Sequence, residues 1–354
     1  MNIFLTGAAG LIGGEVAARL ISAGHRVTAL VHSNRDIRAN DGSEVTPHET
    51  VAGDVSAPMF GWEKSEWDRL TAPQDLIIHC AATVRFDLDE QTYRSVNTGG
   101  AANAIEFARS GEMPILHVST AYVCGTRDGA IMESDRLPDS GFANGYEASK
   151  ASAEKLVRAS GVPFAIARPS IVVGESQSGM IRQFDTTYAA FKLIAEGRVR
   201  HMPSRAGATL DFVPLDHVAS GIVQIAHNMR QAQGGAHHLV SGRPIPVTMF
   251  TDAIASFPQF YRPELVEPES FEPSELPALE RRLYKRVAGL YASYFQRDPH
   301  FDDREAQAVT GLVCPETGPD YLARLIGYCI DVGFLKGADE PVSERQDNVA
   351  ASAS

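Results

Sequence analysis

Residues 2–32, NIFLTGAAGLIGGEVAARLISAGHRVTALVH, set the architecture of the chain. A short apolar run leads into three regularly spaced glycines, then apolar residues recur at helical spacing, and a second apolar run follows. Between a strand and a helix, glycines let backbone N–H groups approach a pyrophosphate at the N-terminus of the helix. The stretch therefore predicts a dinucleotide-binding turn, whose expected cofactor contacts are Thr6, Gly7, Gly10, Leu11, Ile12 and Gly13.

The alternation of strand and helix continues along the chain. The runs DLIIHCAA (75–82) and MPILHVST (113–120) are apolar without alternation, which is typical of parallel strands that are buried on both faces. A helical segment, VNTGGAANAIEFARS (96–110), lies between them. The pattern predicts an α/β fold, a Rossmann-type doubly wound parallel sheet that binds ligands at the carboxyl edge of its strands.

The expected domain organisation follows from where this alternation stops. Residues 1–180 are predicted to form the nucleotide-binding core, with later core elements at about 208–250. Residues 181–338 are expected to contribute mostly a smaller, mainly helical substrate-binding lobe. The polar segment 339–354 is predicted to be a disordered tail.

Composition narrows the function classes. The 354 residues carry a net charge of −12, which argues against general binding of nucleic acid because phosphate contacts need a basic surface. Neither a signal segment nor a long apolar run is present, so a cytoplasmic protein is expected, at most peripheral to the inner face of a membrane. No cysteine spacing resembles a zinc site, so no metal is expected and the thiols should be buried and free in a reducing compartment. The cysteines are Cys80, Cys124, Cys314 and Cys329.

A second motif lies after the strand at 113–120. That strand delivers Ser119 and Thr120 to its carboxyl end, and the later segment GYEASK places Tyr146 and Lys150 one helical turn apart. A Tyr and a Lys at this spacing also occur by chance on exposed helices. Together with the G-x-x-G-x-x-G turn, however, the arrangement resembles the extended short-chain dehydrogenases/reductases.

This resemblance implies roles for the motif in carbonyl reduction. Hydride delivery leaves charge on the substrate oxygen, which needs a proton donor and a second hydrogen bond. Tyr146 is expected to donate the proton, while Lys150 lowers the pKa of the tyrosine and binds the ribose. Thr120 is expected to orient the substrate oxygen, with Ser119 as the alternative because only one of two neighbouring strand residues faces a site.

Further cofactor contacts follow from the same resemblance. Asp54 lies just past a short strand where the superfamily contacts adenine, and Asn97 matches its buried asparagine. Small residues after the strand at 75–82 would let a cofactor lie against the backbone, and a proline turn would lie beside the nicotinamide. The remaining expected contacts are Val55, Ala81, Ala82, Thr83, Pro169, Ser170 and Ile171.

The end of the second strand bears on the choice of dinucleotide. NAD sites usually carry an acid there, but this chain has Val31, followed by His32 and Arg35. The absence of an acid and the presence of basic donors favour NADP(H), with His32 and Arg35 as contacts of the 2′-phosphate. Two alternatives stay open: that these are solvated loop charges, or that Asp36 serves NAD if the loop folds back.

Several segments resemble one branch more closely, the fatty acyl-CoA reductases and thioester reductase domains. They are GWEKSEWDRL, IIHCAATVRFD, LHVSTAYVCG, EKLV and RPSIVVG, and the resemblance covers about residues 1–250. It implies an NADPH-dependent reductase of long acyl or lipid-like carbonyl compounds. Arg85 and Phe86 would lie near the substrate, either binding it or packing.

Three functions are expected, in order of preference. Because the chain begins at its first strand without a preceding carrier domain, the leading hypothesis is reduction of a ketone on a long-chain lipid, of keto-sphingoid or ceramide type. The alternative is reduction of an acyl thioester to an aldehyde or alcohol. A hypothesis of another class is a non-catalytic redox-sensing or structural Rossmann protein, although such proteins often lose the tyrosine or lysine that this chain keeps.

Residues 276–297, LPALERRLYKRVAGLYASYFQR, are predicted to form one basic amphipathic helix. Such a helix can lie on anionic lipid as a peripheral membrane contact, or pack over the substrate cleft with its charged face in solvent. A homodimer is a further partner that the resemblance allows.

Overall fold

The computed structural model describes residues 1–338; the tail predicted at 339–354 lies outside the described residues. The strands are β1 (Asn2–Thr6), β2 (Arg26–Val31), β3 (Glu49–Ala52), β4 (Leu76–His79), β5 (Ile115–Val118), β6 (Gly129–Ile131), β7 (Phe164–Pro169), β8 (Ile171–Val173), β9 (His201–Pro203), β10 (Thr209–Leu210), β11 (Phe212–Pro214), β12 (Ala236–Leu239), β13 (Ile245–Pro246), β14 (Glu264–Val266) and β15 (Pro299–Phe301). The helices are α1 (Leu11–Ser22), α2 (Lys64–Thr71), α3 (Glu90–Tyr93), α4 (Gly100–Ser110), α5 (Gly145–Ala159), α6 (Thr186–Ala195), α7 (Leu215–His227), α8 (Met229–Ala232), α9 (Val247–Ala255), α10 (Ala278–Arg286), α11 (Arg304–Thr310) and α12 (Pro319–Asp331).

A parallel sheet forms the centre of the molecule. Within residues 1–338 it has seven strands in the order β12-β7-β5-β4-β1-β2-β3. The chain adds β2 and β3 on one side of β1 and then crosses to β4 on the other side, so the strand order reverses between β1 and β4. In open α/β sheets ligands bind at this reversal, outside the carboxyl ends of the strands. The predicted Rossmann-type, doubly wound fold is confirmed.

Helices cover both faces of the sheet, which explains the uninterrupted apolar runs. On one face, Val16 and Leu20 of α1 and Ile222 of α7 belong to one buried cluster with strand residues. On the other face, the ring of Phe4 in β1 packs 4.3 Å from that of Phe107 in α4. Because the central strands are covered above and below, apolar residues are favoured on both of their faces.

The later part of the chain returns to the sheet once and otherwise packs beside it. Strand β12 pairs in parallel with β7 and falls within the segment 208–250 that was expected to contain core elements. Helices α6, α9, α10 and α12 contribute to a second buried cluster next to the sheet. The exact division into a core and a substrate lobe stays a prediction. No helix among residues 1–338 is long and apolar enough to cross a membrane.

The predicted single helix over 276–297 is wrong. Helix α10 ends at Arg286, Val287 has φ −135° and ψ −69°, and a separate 3₁₀ segment follows at Ala288–Phe295. Leu279, assigned to the apolar face, is 68% exposed, whereas Tyr294 is buried. In the second segment the aromatic residues Tyr291, Tyr294 and Phe295 are buried.

Candidate active site

The turn between β1 and α1 requires glycine. Gly7 has φ +74°, and a Cβ atom there would lie 2.6 Å from the backbone nitrogen of Ala81. A Cβ atom on Gly13 would lie 2.1 Å from the carbonyl oxygen of Gly7. Gly10 caps α1 without a side-chain hydrogen bond, so no side chain occupies the N–H groups of the first turn of the helix. This open, positively polarised end fits the pyrophosphate of a dinucleotide.

Hydrogen bonds connect this turn to the loop after β4. The hydroxyl of Thr6 pairs with Nδ1 of His79 at 2.8 Å and accepts from the backbone N–H of Ala81 at 3.2 Å. Farther along, Asn97 accepts from the N–H of Thr83 at 2.8 Å and donates to the hydroxyl of Ser149 on α5 at 2.9 Å. The predicted contacts of the β4 loop are thereby fixed to both the glycine turn and helix α5.

The residues expected near the adenosine end lie at the surface beyond β2 and β3. His32 and Asp54 are both exposed, with Nε2 of His32 3.9 Å from the carboxylate. Val55 lies against α4, where a Cβ atom on Gly100 would come within 3.3 Å of it. Asp54 accepts from the N–H of Ser56 at 2.8 Å, which holds its loop closed.

The loop after β2 carries the residues on which the choice between NADP(H) and NAD is expected to depend. Val31, the position at which an acid was expected for NAD, points into the core and is 3% exposed. Arg35 is exposed, and no carboxylate of residues 1–338 lies within 4 Å of it. Asp36 is paired with Arg38 at 2.6 Å, so its carboxylate is already engaged rather than free for a ribose.

Tyr146 and Lys150 lie on successive turns of α5, whose N-terminus is capped by Asn144. Tyr146 lines the same cleft as Ser119 and Thr120, so the strand end and the helix meet there as predicted. Lys150 is 2% exposed, and its Nζ donates to the carbonyl oxygen of Val118 at 2.7 Å. The three polar side chains named from the sequence therefore converge at the carboxyl edge of β5.

The pKa values of Tyr146 and Lys150 are shifted from their ordinary values, mainly by burial. Burial and the nearby charge of Glu147 raise the pKa of Tyr146, and a hydrogen bond with Thr120 only partly opposes them. Burial lowers the pKa of Lys150 to about 8, against an opposing effect of Glu154. The lowering of the Tyr146 pKa expected from Lys150 together with the oxidised nicotinamide stays a prediction, since Lys150 by itself is not among the groups that shift this pKa. Thr120 lies close enough to Tyr146 to affect its pKa, and its hydroxyl donates to the carbonyl oxygen of Pro169 at 3.3 Å.

The proline turn after β7 completes the cofactor side of the cleft. Pro169, Ser170 and Ile171 all line it. The hydroxyl of Ser170 donates to Asp211 at 2.6 Å, and the same carboxylate accepts from the N–H of Ser241 at 2.9 Å. Asp211 thus holds the turn in place.

Apolar side chains form much of the wall of the same cleft. The whole cleft measures about 380 Å³. The ring of Phe86 lies 5.5 Å from that of Tyr146 and 4.9 Å from that of Tyr291, which places Phe86 in the cavity wall. Arg85 instead pairs with Asp87 at the surface, at 2.8 Å. The sequence had left the orientation of both residues open.

Much of the cavity wall was missed from the sequence. Residues 276–297 were expected either to contact a membrane or to pack over the cleft, and Tyr291, Tyr294 and Phe295 of this segment do line the cleft. The other lining residues come from later elements that carry no recognisable motif, and they were missed: Phe212, Phe250, Leu322 and Leu325.

The family model described as male sterility protein matches residues 5–222, more than half of the chain. The chain belongs to the male sterility protein family. This membership confirms the predicted class, an extended short-chain dehydrogenase/reductase and thus an NAD(P)-dependent oxidoreductase.

Curated relatives of this male sterility family protein are much longer chains, and the match covers only a small part of each. It is 30% identical over 234 residues to the hybrid PKS-NRPS synthetase pvhA of Talaromyces variabilis, covering 63% of this chain and 6% of that one. It is 26% identical over 278 residues to the L-2-aminoadipate reductase large subunit of Penicillium chrysogenum, covering 69% and 19%. The chain thus spans less than a fifth of either curated relative.

One solved structure matches the male sterility family protein over nearly its whole length. The terminal R domain from the myxalamid PKS-NRPS biosynthetic pathway superposes with a TM-score of 0.80 at 26% identity. The match covers 95% of this chain and 92% of that one, so it includes the part of the chain that forms the aromatic cavity.

Proposed function

We propose that this protein is an NADP(H)-dependent reductase that converts an acyl thioester to an aldehyde. The observation that carries the proposal is a single cleft that is lined by the glycine turn, by Thr120 and Tyr146, and by many aromatic and aliphatic side chains. An apolar acyl chain suits such a cavity, and the reactive carbonyl would lie where the polar residues converge.

The residues of the chain supply binding and proton transfer. When bound, the dinucleotide supplies the hydride for the carbonyl carbon. Tyr146 gives its phenolic proton to the substrate oxygen as charge develops there, and Thr120 provides a second hydrogen bond. Lys150, one turn along α5, stabilises the negative phenolate that remains. The hydroxyl group formed on the former carbonyl carbon then returns its proton to the phenolate as the carbon–sulfur bond breaks, which gives the aldehyde. The sulfur leaves as a thiolate and takes up a proton from solvent to become the thiol.

NADP(H) is the proposed dinucleotide because the end of β2 offers basic side chains and no free acid. Arg35 is exposed and unpaired with any carboxylate of the described residues, and Asp36 is engaged by Arg38. A 2′-phosphate beside His32 and Arg35 would gain charge-assisted hydrogen bonds. A direct comparison of the reaction rates with NADPH and with NADH would show if NADH is the dinucleotide used instead.

A thioester is preferred over the ketone that led the expectations from sequence. The R domain resembles this chain along nearly its full length, and another relative is an aminoadipate reductase; neither name points to a keto-lipid. A ketone on a long-chain lipid remains the second candidate, because the apolar lining of the cavity would accept the chain of either substrate.

The test is consumption of NADPH with a long-chain acyl-CoA in one arm and a 3-keto sphingoid base in the other. Thioester reduction releases one thiol per NADPH in the first arm and yields an aldehyde that mass spectrometry detects. Turnover in the second arm alone would transfer the assignment to the lipid ketone. If NADPH bound but neither substrate was reduced, the result would support the hypothesis of a non-catalytic redox-sensing or structural protein.

Two partner proposals accompany this function. Arg282, Lys285 and Arg286 on α10 are exposed, so peripheral contact of this helix with anionic lipid is proposed for a substrate drawn from a membrane. A homodimer is the second, and the mass of the particle in solution tests it.

A further inference from the structure

The segment that precedes α6 places an arginine beside the glycine turn. Nη2 of Arg182 lies 3.4 Å from the carbonyl oxygen of Gly10, the residue that caps α1. The neighbouring residues Gln183 and Asp185 line the cleft together with the glycine turn. No feature of the sequence had drawn attention to Arg182, which lies 172 residues from Gly10.

The backbone of Arg182 is fixed to the cofactor half of the molecule. Its N–H donates to the side-chain oxygen of Asn40 at 2.9 Å, and the amide of Asn40 donates to the carbonyl oxygen of Met180 at 2.9 Å. The N–H of Asn40 in turn donates to Glu15 on α1, also at 2.9 Å. The position of the guanidinium next to the first turn of α1 is therefore built into the fold.

The charge of this guanidinium is not balanced within residues 1–338. No carboxylate among residues 1–338 lies within 4 Å of Arg182, and its Nε is buried without a hydrogen-bond partner in that part of the chain. The N-terminus of α1, with its own partial positive charge, lies beside it. Two positive groups with unused donors are stable side by side when an anion lies between them.

We propose that Arg182 is a ligand of the dinucleotide pyrophosphate, acting from the opposite side to the backbone N–H groups of α1. The inference rests on the cofactor part of the proposed function and not on the substrate. It adds a consequence: a pyrophosphate held between Arg182 and α1 also fixes the segment with Gln183 and Asp185 over the cleft. Cofactor binding would thus complete the wall of the active site.

The test compares ligands with and without a pyrophosphate on the full chain. Dissociation constants for NADPH, NADH and 2′-AMP are measured for the wild type, Arg182→Gln, Arg182→Lys and the exposed control Arg230→Gln. Loss of a charge-assisted contact should weaken both dinucleotides by roughly 10- to 100-fold in Arg182→Gln. Binding of 2′-AMP, which lacks the pyrophosphate, should stay within about twofold, and Arg182→Lys should fall between.

Two results would overturn the inference. One is dinucleotide binding by Arg182→Gln within twofold of the wild type. The other is an equal loss for 2′-AMP, which would mean that the substitution disturbs the adenosine site as a whole. If the wild type bound NADPH but reduced no thioester, the proposed substrate would be contradicted. The assignment of Arg182 as a ligand of the pyrophosphate would be unaffected.

Discussion

The guanidinium of Arg297 forms a two-pronged ion pair with the carboxylate of Glu147, the residue that follows Tyr146. The distances are 2.5 Å from Nη2 to Oε1 and 3.2 Å from Nη1 to Oε2, and both side chains are almost fully buried. The guanidinium also lies between two rings, 4.6 Å from the centre of Tyr122 and 4.7 Å from that of Tyr294. A residue after the aromatic 3₁₀ segment is thereby tied to the start of the catalytic helix.

Removal of this arginine should destabilise the fold strongly. In Arg297→Met the carboxylate of Glu147 would stay buried without its partner, which typically costs about 3–5 kcal/mol. The free energy of unfolding in urea measures the loss. The matched control is Arg94→Met, whose pair with Glu90 is exposed and should contribute less than about 1 kcal/mol.

The double variant Glu147→Gln with Arg297→Met separates charge burial from packing. It should recover part of the stability, because no unpaired charge remains in the interior. A loss below about 1 kcal/mol in Arg297→Met alone would show that this pair does not hold the two parts of the site together.

The contrast between this ion pair and the rest of the fold shows what the sequence could predict. The glycine turn, the buried strands and the Tyr-x-x-x-Lys helix are local patterns, each specified by neighbouring residues, and the structure contains all of them. Glu147 and Arg297 are 150 residues apart, and no local pattern relates them.

The error over 276–297 has a similar physical origin. Leu276, Leu283 and Tyr294 fit helical spacing, but the spacing does not reveal that the backbone turns at Val287. A Cβ atom on Gly289 would lie 3.0 Å from the carbonyl oxygen of Tyr284, so the chain doubles back closely there. Tertiary packing against the cleft, rather than local propensity, decides the course of this segment.

Substitution of the proposed proton donor should separate binding from chemistry. Tyr146→Phe removes the hydroxyl and keeps the ring that stacks on Phe86. We expect kcat to fall roughly 10²- to 10⁴-fold, the usual contribution of general acid catalysis, while the dissociation constant for NADPH stays within about twofold. The exposed Tyr261→Phe is the control and should leave both unchanged. Unaltered reduction by Tyr146→Phe would remove the catalytic assignment.

The choice of dinucleotide should depend on Arg35. Its exposed guanidinium is free to contact a 2′-phosphate, so Arg35→Gln should lower kcat/KM for NADPH by roughly 10- to 100-fold. With NADH, which lacks that phosphate, the value should change less than about threefold. The ratio of the two values is the measurement, with Arg230→Gln as the control for general loss of positive charge. If both dinucleotides lost equally, Arg35 would not be reading the phosphate.

The buried lysine should make stability depend on pH in a defined direction. Burial lowers the pKa of Lys150 from 10.5 to about 8, so between these values the unfolded chain holds a proton that the folded chain has released. Stability therefore rises with pH across this window, and below it the charged amine in the interior costs up to about 3 kcal/mol.

Lys150→Met lacks this titration and isolates the effect. Without cofactor, the variant should exceed the wild type in unfolding free energy most at pH 7, and the difference should shrink by up to about 3 kcal/mol as pH approaches 10.5. Urea unfolding at pH 7, 8.5 and 10 measures this difference in unfolding free energy. A difference that stays constant would mean that burial does not lower the pKa of the Lys150 amine. The cost has a physical use, because a charged amine held near Tyr146 in a dry site interacts more strongly with a phenolate than one in water does.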